Sequence, residues 1–166
     1  GPARTLIFAP IKKARMDFLI EKAVELGVTR LQPVLTQNTQ TRTIKRDRLE
    51  KQIIAAAEQC ERMDIPELDE PADLHDVLVR WHGDTPLLAC IARLSHAQNT
   101  GWPDPDQDAG ILIGPEGGFV DEEFTFIRQM PCVREISLGP HILRAETAAI
   151  AVLSCLGLDQ LYSTDG

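Results

Sequence analysis

No lysine follows residue 51 in this 166-residue chain; Lys12, Lys13, Lys22, Lys45 and Lys51 are the full set. The absence belongs to a wider charge split. Residues 1–63 carry 12 basic and 7 acidic side chains, whereas residues 64–166 carry 5 basic and 18 acidic ones. The formal net charge is −8. Taken as a total, that charge argues against a nucleic-acid partner. The split weakens the argument, because Arg42, Lys45, Arg46, Arg48 and Lys51 form one dense basic stretch. Charge alone reads that stretch first as the solvated start of a helix. The alternative is a phosphate-facing surface on an otherwise acidic protein.

Other absences exclude whole classes. No apolar run approaches the ~18 residues of a membrane span, and no secretory signal is present. A cytoplasmic protein without a membrane partner is expected. Cys60, Cys90, Cys132 and Cys155 are scattered, with no C-x-x-C pair. They read as free thiols in a reducing compartment. His75, His82, His96 and His141 form no H-E-x-x-H or Cys/His cluster, so no metal site is expected. There is no initiator methionine; Gly1-Pro2 reads as a protease-cleavage scar. On that reading residues 3–166 form one domain of a longer protein. With 43% hydrophobic and 25% charged residues, such a domain needs no disulfide or metal staple.

What is present alternates between strand and helix patterns. Residues 5–9 are a short apolar strand. From Ala14, Met16, Leu19, Ile20, Ala23 and Leu26 recur at helical spacing, and Gly27 stops the helix. Val28–Leu35 reads as a strand, with Pro33 marking an edge or an irregularity. A helix is expected over Arg46–Arg62, with Leu49, Ile53, Ala56, Ala57 and Cys60 inward. A shorter helix is expected over Asp73–Trp81. Pro86–Ala92 reads as a strand buried on both faces. Residues 95–109 read as a surface loop. Gly110–Ile113, Asp121–Met130, Val133–Leu138 and Ala145–Leu161 then read as strand, helix, strand and helix. The alternation predicts an α/β protein with a largely parallel sheet.

Two loops carry the chemistry. Ile113-Gly114-Pro115-Glu116-Gly117-Gly118-Phe119 links a buried strand to a helix, at the strand end where open α/β sheets bind ligands. Its glycines admit close backbone approach. It is neither G-x-G-x-x-G nor a P-loop, and its acidic neighbours suit a ligand of cationic character. A tight turn needing glycine for geometry alone is the alternative. The second loop, Leu138-Gly139-Pro140-His141-Ile142-Leu143-Arg144-Ala145-Glu146-Thr147-Ala148, also links strand to helix. Ile142 and Leu143 suit a pocket wall. Taken alone, Arg144 reads as a partner of Glu146 or another carboxylate.

Together these two loops closely resemble those of the SPOUT-class ribosomal RNA uridine-N3 methyltransferases, the RsmE family. Lys22-Ala23-Val24-Glu25-Leu26-Gly27-Val28 resembles that family's first motif. Glu58-Gln59, with Arg62 and Ile65-Pro66, resembles its second-helix motif. The resemblance runs from Lys12 to Gly157. Two segments depart from it: His141 stands where relatives often have Arg, and Gln37-Asn38-Thr39 replaces a more charged segment.

The resemblance implies a parallel sheet flanked by helices with a deep C-terminal trefoil knot. It also implies bound S-adenosylmethionine, a homodimer, and 16S ribosomal RNA or the small ribosomal subunit as partner. An N-terminal PUA-like barrel, found in full-length relatives, is then expected to be missing before Lys12. The cofactor residues it implies are Ile113, Gly114, Pro115, Glu116, Gly117, Gly118, Leu138, Gly139, Ile142, Leu143 and Thr147. Glu116 lies near the sulfonium or ribose, or else caps a turn. Arg144 becomes the candidate catalytic residue, donating to a base carbonyl or a nearby phosphate. Arg42, Lys45, Arg46 and Arg48 become candidate RNA contacts. Two competing readings stay open: a related RNA methyltransferase acting on a ribose 2′-OH or a tRNA base, and a noncatalytic nucleotide-binding or interaction domain.

Overall fold

The computed structural model describes residues 1–81, 83–91 and 101–162, with side chains through residue 158. Seven strands form one sheet: β1 (Arg4–Phe8), β2 (Arg30–Leu35), β3 (Glu67–Leu68), β4 (Ala72–Asp73), β5 (Leu87–Ala89), β6 (Ala109–Ile113) and β7 (Val133–Glu135). Their order is β3-β2-β1-β6-β5-β7, with β4 pairing to β2 beyond β3. Every pairing is parallel. The helices are α1 (Lys13–Glu25), α2 (Arg46–Gln59), α3 (Leu74–Val79), α4 (Asp121–Gln129) and α5 (Ala145–Tyr162).

Strand alternation divides the core in two. Leu6, Phe8, Leu31, Leu88, Ile111 and Ile113 point to one face, where α1, α2 and α5 pack. Ile7, Val34, Leu87, Ala89 and Leu112 point to the other, toward α3 and α4. All five residues of β6 are buried, as a central parallel strand covered on both faces requires. The helical stripe read on α1 is the buried one: Met16, Leu19, Ile20 and Ala23, joined by Val24. Gly27, at φ +90°, ends that helix, a conformation that costs glycine no Cβ clash.

Pro33 shows an irregularity rather than an edge. It pairs with Phe8 of β1, so β2 is an internal strand. On its other side the ladder breaks between β3 and β4, opposite Gln32 and Pro33. Leu31 accepts the Asp69 N–H at 2.9 Å on that side; Pro33 faces the same way and has no N–H to offer. The Gln32 side-chain amide spans the gap by donating to Glu70 O at 2.9 Å. The strand expected over Val133–Leu138 stops at Glu135 because its partner β5 stops at Ala89.

The loop expected over 95–109 falls on residues outside the described set as far as residue 100. From 101 to 108 it is irregular apart from a turn. A knot is a property of the unbroken path, and residues 92–100, between β5 and β6, lie outside the described residues. His82 and His96 lie outside them as well.

Gly110 in β6 is a packing position that no sequence pattern marks. A Cβ there would lie 2.5 Å from Cζ2 of Trp81 and 2.9 Å from Cδ1 of Leu87. Trp81 has little freedom to yield, since its indole N–H donates to Thr85 O at 2.9 Å. Gly110→Ala is therefore expected to destabilise the fold by about 1–3 kcal/mol, the usual range for overpacking. A lower urea midpoint with an unchanged slope is the expected readout; an unchanged midpoint contradicts it.

Candidate active site

In an open parallel sheet, ligands settle beyond the carboxyl ends of the strands, where the strand order reverses. Here the order reverses between β1 and β6. The first glycine loop leaves β6 at that point. The second leaves β7, two strands away, and its chain returns to α5, which packs on α1 and β6. The end of β5 sits between the strands that feed the two loops: Ile136 N–H donates to Ala89 O at 2.8 Å, and Cys90 N–H to Leu112 O at 3.2 Å.

The first loop is closely braced. Ile113 and Pro115 are buried; Glu116 and Gly117 are exposed. Gly118 takes φ +75° and its N–H closes a turn on Pro115 O at 2.9 Å. A Cβ on Gly114 would lie 2.8 Å from the Phe119 ring, so the ring occupies the space a side chain would fill. The segment after β2 supports this loop from outside. Asn38 Nδ2 donates to Gly118 O at 3.0 Å, and Gln37 N–H donates to Glu123 Oε2 at 3.1 Å. Glu123 Oε1 meanwhile accepts the Val120 N–H at 2.9 Å at the start of α4. The uncharged residues 37–39 thus serve as a brace, a role that no local sequence pattern marks.

Glu116 faces α1. Its carboxylate pairs with the Arg15 guanidinium and accepts the Lys12 N–H at 3.5 Å. The second loop is open. Leu138 and Leu143 pack partly against the larger core, while His141, Arg144 and Thr147 are exposed. Gly139 adopts φ +107°. Ile142 is 102% exposed, an apolar side chain that no described residue covers. Cys90, at the same end of the sheet, is pushed up to about 12 by desolvation. It stays a thiol at neutral pH and is no nucleophile there.

The arginines divide sharply. Arg42 Nη1 donates to Thr36 O at 3.1 Å and Thr39 O at 3.4 Å. Arg46 pairs with Glu50 at 2.9 Å and Glu70 at 2.8 Å. Arg48 pairs with Asp17. Three of the four basic residues read as RNA contacts are thus engaged within the fold. The side chains of Lys45 and Lys51 carry no ion pair or hydrogen bond among the described residues. Arg144 does not pair with Glu146. Of the described arginines, its side chain alone has no hydrogen bond or ion pair.

A cleft of about 660 Å³ lies at the opposite, amino end of the strands, lined by Thr5, Arg30, Asp69, Trp81 and Asp108. A smaller cavity of about 190 Å³ sits at the carboxyl end between α1 and residues 41–45, with Ile11, Lys13, Met16 and Lys45 in its wall. Among the described residues no group of three His, Cys, Asp or Glu is placed to hold a metal ion. No described helix is long and apolar enough to cross a membrane.

The family model of an RNA methyltransferase domain matches residues 2–157. The chain belongs to the RNA methyltransferase domain family. It is similar to the ribosomal RNA small subunit methyltransferase E of Rickettsia conorii, 34% identical over 158 residues that span 90% of this chain and 62% of that protein. It is also similar to a crystal structure of the Neisseria gonorrhoeae ribosomal RNA small subunit methyltransferase E bound to S-adenosyl methionine. That likeness has a TM-score of 0.80 and 29% identity, covering 95% of this chain and 66% of that one. A Legionella pneumophila putative methyltransferase in complex with the same cofactor aligns with a TM-score of 0.82 at 33% identity, over 95% of this chain and 66% of that one. The parallel sheet with flanking helices is the SPOUT methyltransferase fold. Two of the four sequence motifs are the loops at the carboxyl ends, whereas residues 22–28 close α1 and Glu58-Gln59, Arg62 and Ile65-Pro66 lie at and after the end of α2. Arg15 was missed, although it carried a signal: a cation four residues before Leu19, on the stripe that faces the core.

Proposed function

We propose that this protein methylates N3 of a uridine in 16S ribosomal RNA, using S-adenosylmethionine. The observation that carries the reading is the exposed guanidinium of Arg144, which has no hydrogen bond or ion pair among the described residues and lies on one of the two loops at the carboxyl ends of the sheet. The residues present fit the cofactor. The exposed Gly117 and Gly118, where a Cβ on the latter would meet no described atom within 4 Å, offer backbone to a ligand, and the exposed Ile142 offers an apolar face to an adenine ring. Ile113, Pro115, Glu116, Leu138, Gly139, Leu143 and Thr147 complete the proposed cleft.

When bound, S-adenosylmethionine supplies an electrophilic methyl group. The protein's task would be to hold the uridine so that N3, its imide proton passed to solvent, faces that methyl in line for transfer, with S-adenosylhomocysteine as the leaving group. Negative charge then spreads over O2 and O4 of the base. Arg144 donates to one of these oxygens or to an adjacent phosphate, with no internal bond to break first. N3 lies on the Watson–Crick edge, so the target is a single-stranded or extruded base.

The carboxyl-end lysines are the proposed phosphate contacts, Lys45 and Lys51 foremost. Arg42, Arg46 and Arg48 shape that surface while held by internal partners. Lys45→Glu with Lys51→Glu is expected to weaken RNA binding by the full-length protein and to reduce its salt slope by about 2, one for each phosphate no longer neutralised. An unchanged slope contradicts this. We also propose a homodimer through the packed pair α1 and α5, where Phe18 and Leu158 are exposed. The proposed compartment is the cytoplasm, where the RNA substrate resides. The chain spans less than two thirds of the length of the curated relatives it matches.

Two measurements test the reading. Calorimetry should detect S-adenosylmethionine binding, and its absence from the folded chain would count against a methyltransferase. Mass spectrometry of ribosomal RNA from a deletion strain should lose one N3-methyluridine; an intact modification would refute the function.

A further inference from the structure

The two proposed cofactor loops leave strands separated by β5, so no direct backbone ladder sets the distance between them. One side chain spans that gap. Arg15, in the first turn of α1, pairs with Glu116 of the first loop. Its Nε also lies 3.9 Å from Oε1 of Glu146, in the first turn of α5 directly after the second loop. Glu146 is 7% exposed. Its Oε2 and the Arg15 Nε are both buried without a hydrogen-bond partner. A buried carboxylate needs a cation beside it, and Arg15 is the cation given to this one.

We propose that Arg15 is a positioning residue that ties the two cofactor loops together and thereby sets the width of the S-adenosylmethionine cleft. The inference rests on the proposed function. A guanidinium is a planar fork that can donate in two directions at once. Here the fork lies between carboxylates contributed by segments about a hundred residues from Arg15 and further along the chain. The 3.9 Å approach is an ion pair but too long for a hydrogen bond. The Arg15–Glu146 contact therefore gives less to the fold than its burial suggests. Its value lies in where it holds α5 and the loop before it.

Arg15→Lys separates this role from folding. The ammonium keeps the positive charge beside Glu146 but lacks the fork that reaches both carboxylates. S-adenosylmethionine affinity is expected to fall about tenfold, because loops no longer held at one spacing must be ordered on binding, with the melting temperature nearly unchanged. Should Arg15→Lys fail to fold, the pair Arg15→Gln with Glu146→Gln removes both buried charges and carries the same comparison. Wild-type affinity in the folded variant overturns the proposal. So does a loss of affinity that merely follows a loss of melting temperature. A wild-type chain that binds no S-adenosylmethionine would instead overturn the functional reading itself.

Discussion

Arg144→Ala in the full-length protein is expected to lower methyl transfer by roughly 10²–10³-fold, the cost of removing one preorganised donor to a developing oxyanion. S-adenosylmethionine affinity should stay within about twofold, because the proposed role begins only when charge develops on the base. The melting temperature should not move. Arg144 is exposed and its side chain has no hydrogen bond or ion pair among the described residues, so its removal orphans no described partner. That separation is what makes the experiment informative: lost transfer cannot be blamed on lost fold. Arg144→Lys should return only part of the activity, since an ammonium donates but does not offer a planar fork. Single-turnover rates on ribosomal RNA, with calorimetry for the cofactor, read both quantities. Full activity in Arg144→Ala would remove its assigned role.

The largest stability effect is expected at Arg62, which resembles part of a family motif but serves the fold. Its Nη1 donates to Val24 O and to Val28 O, each at 2.8 Å. Those carbonyls belong to fully buried residues at the end of α1 and the approach to β2. The chain brings Arg62 there through Glu61, which takes φ 58° as α2 ends. Hydrogen bonds from a charged donor contribute about 1.5–3 kcal/mol each, so Arg62→Ala should cost about 3–5 kcal/mol. That is a large share of the roughly 5–15 kcal/mol that holds a domain together. The melting temperature should fall by about 10 °C.

The same side chain predicts a pH signature. The hydrogen bond from Arg62 holds the Asp64 carboxyl below its ordinary value of 3.8. Its folded pKa is thus below its unfolded one, and its contribution to stability is fully present above the unfolded value. It is lost as pH falls from about 4 through the lower, folded pKa. Arg62→Ala should remove this part of the acid dependence. Acid unfolding curves of equal steepness in both proteins would contradict the assignment.

The amino-acid sequence by itself determined where the main elements lie, because hydrophobic periodicity and glycine stops act within a few residues. Met16, Leu19, Ile20 and Ala23 are inward on α1, and the continuous apolar runs at Leu87–Ala89 and Ala109–Ile113 are strands buried on both faces. The two chemistry-bearing loops were legible for the same reason: each is a local strand-to-helix connection. Tertiary structure alone decided which charges are free. Arg42, Arg46 and Arg48 look available as a basic stretch, yet each is engaged by loop carbonyls or carboxylates. Arg144 looks satisfied by nearby Glu146, yet the fold turns that carboxylate toward Arg15 and leaves Arg144 without a side-chain partner among the described residues. An ion pair is set by distance in space, and Arg15 meets Glu116 only because parallel strands bring segments about a hundred residues apart to one end of the sheet.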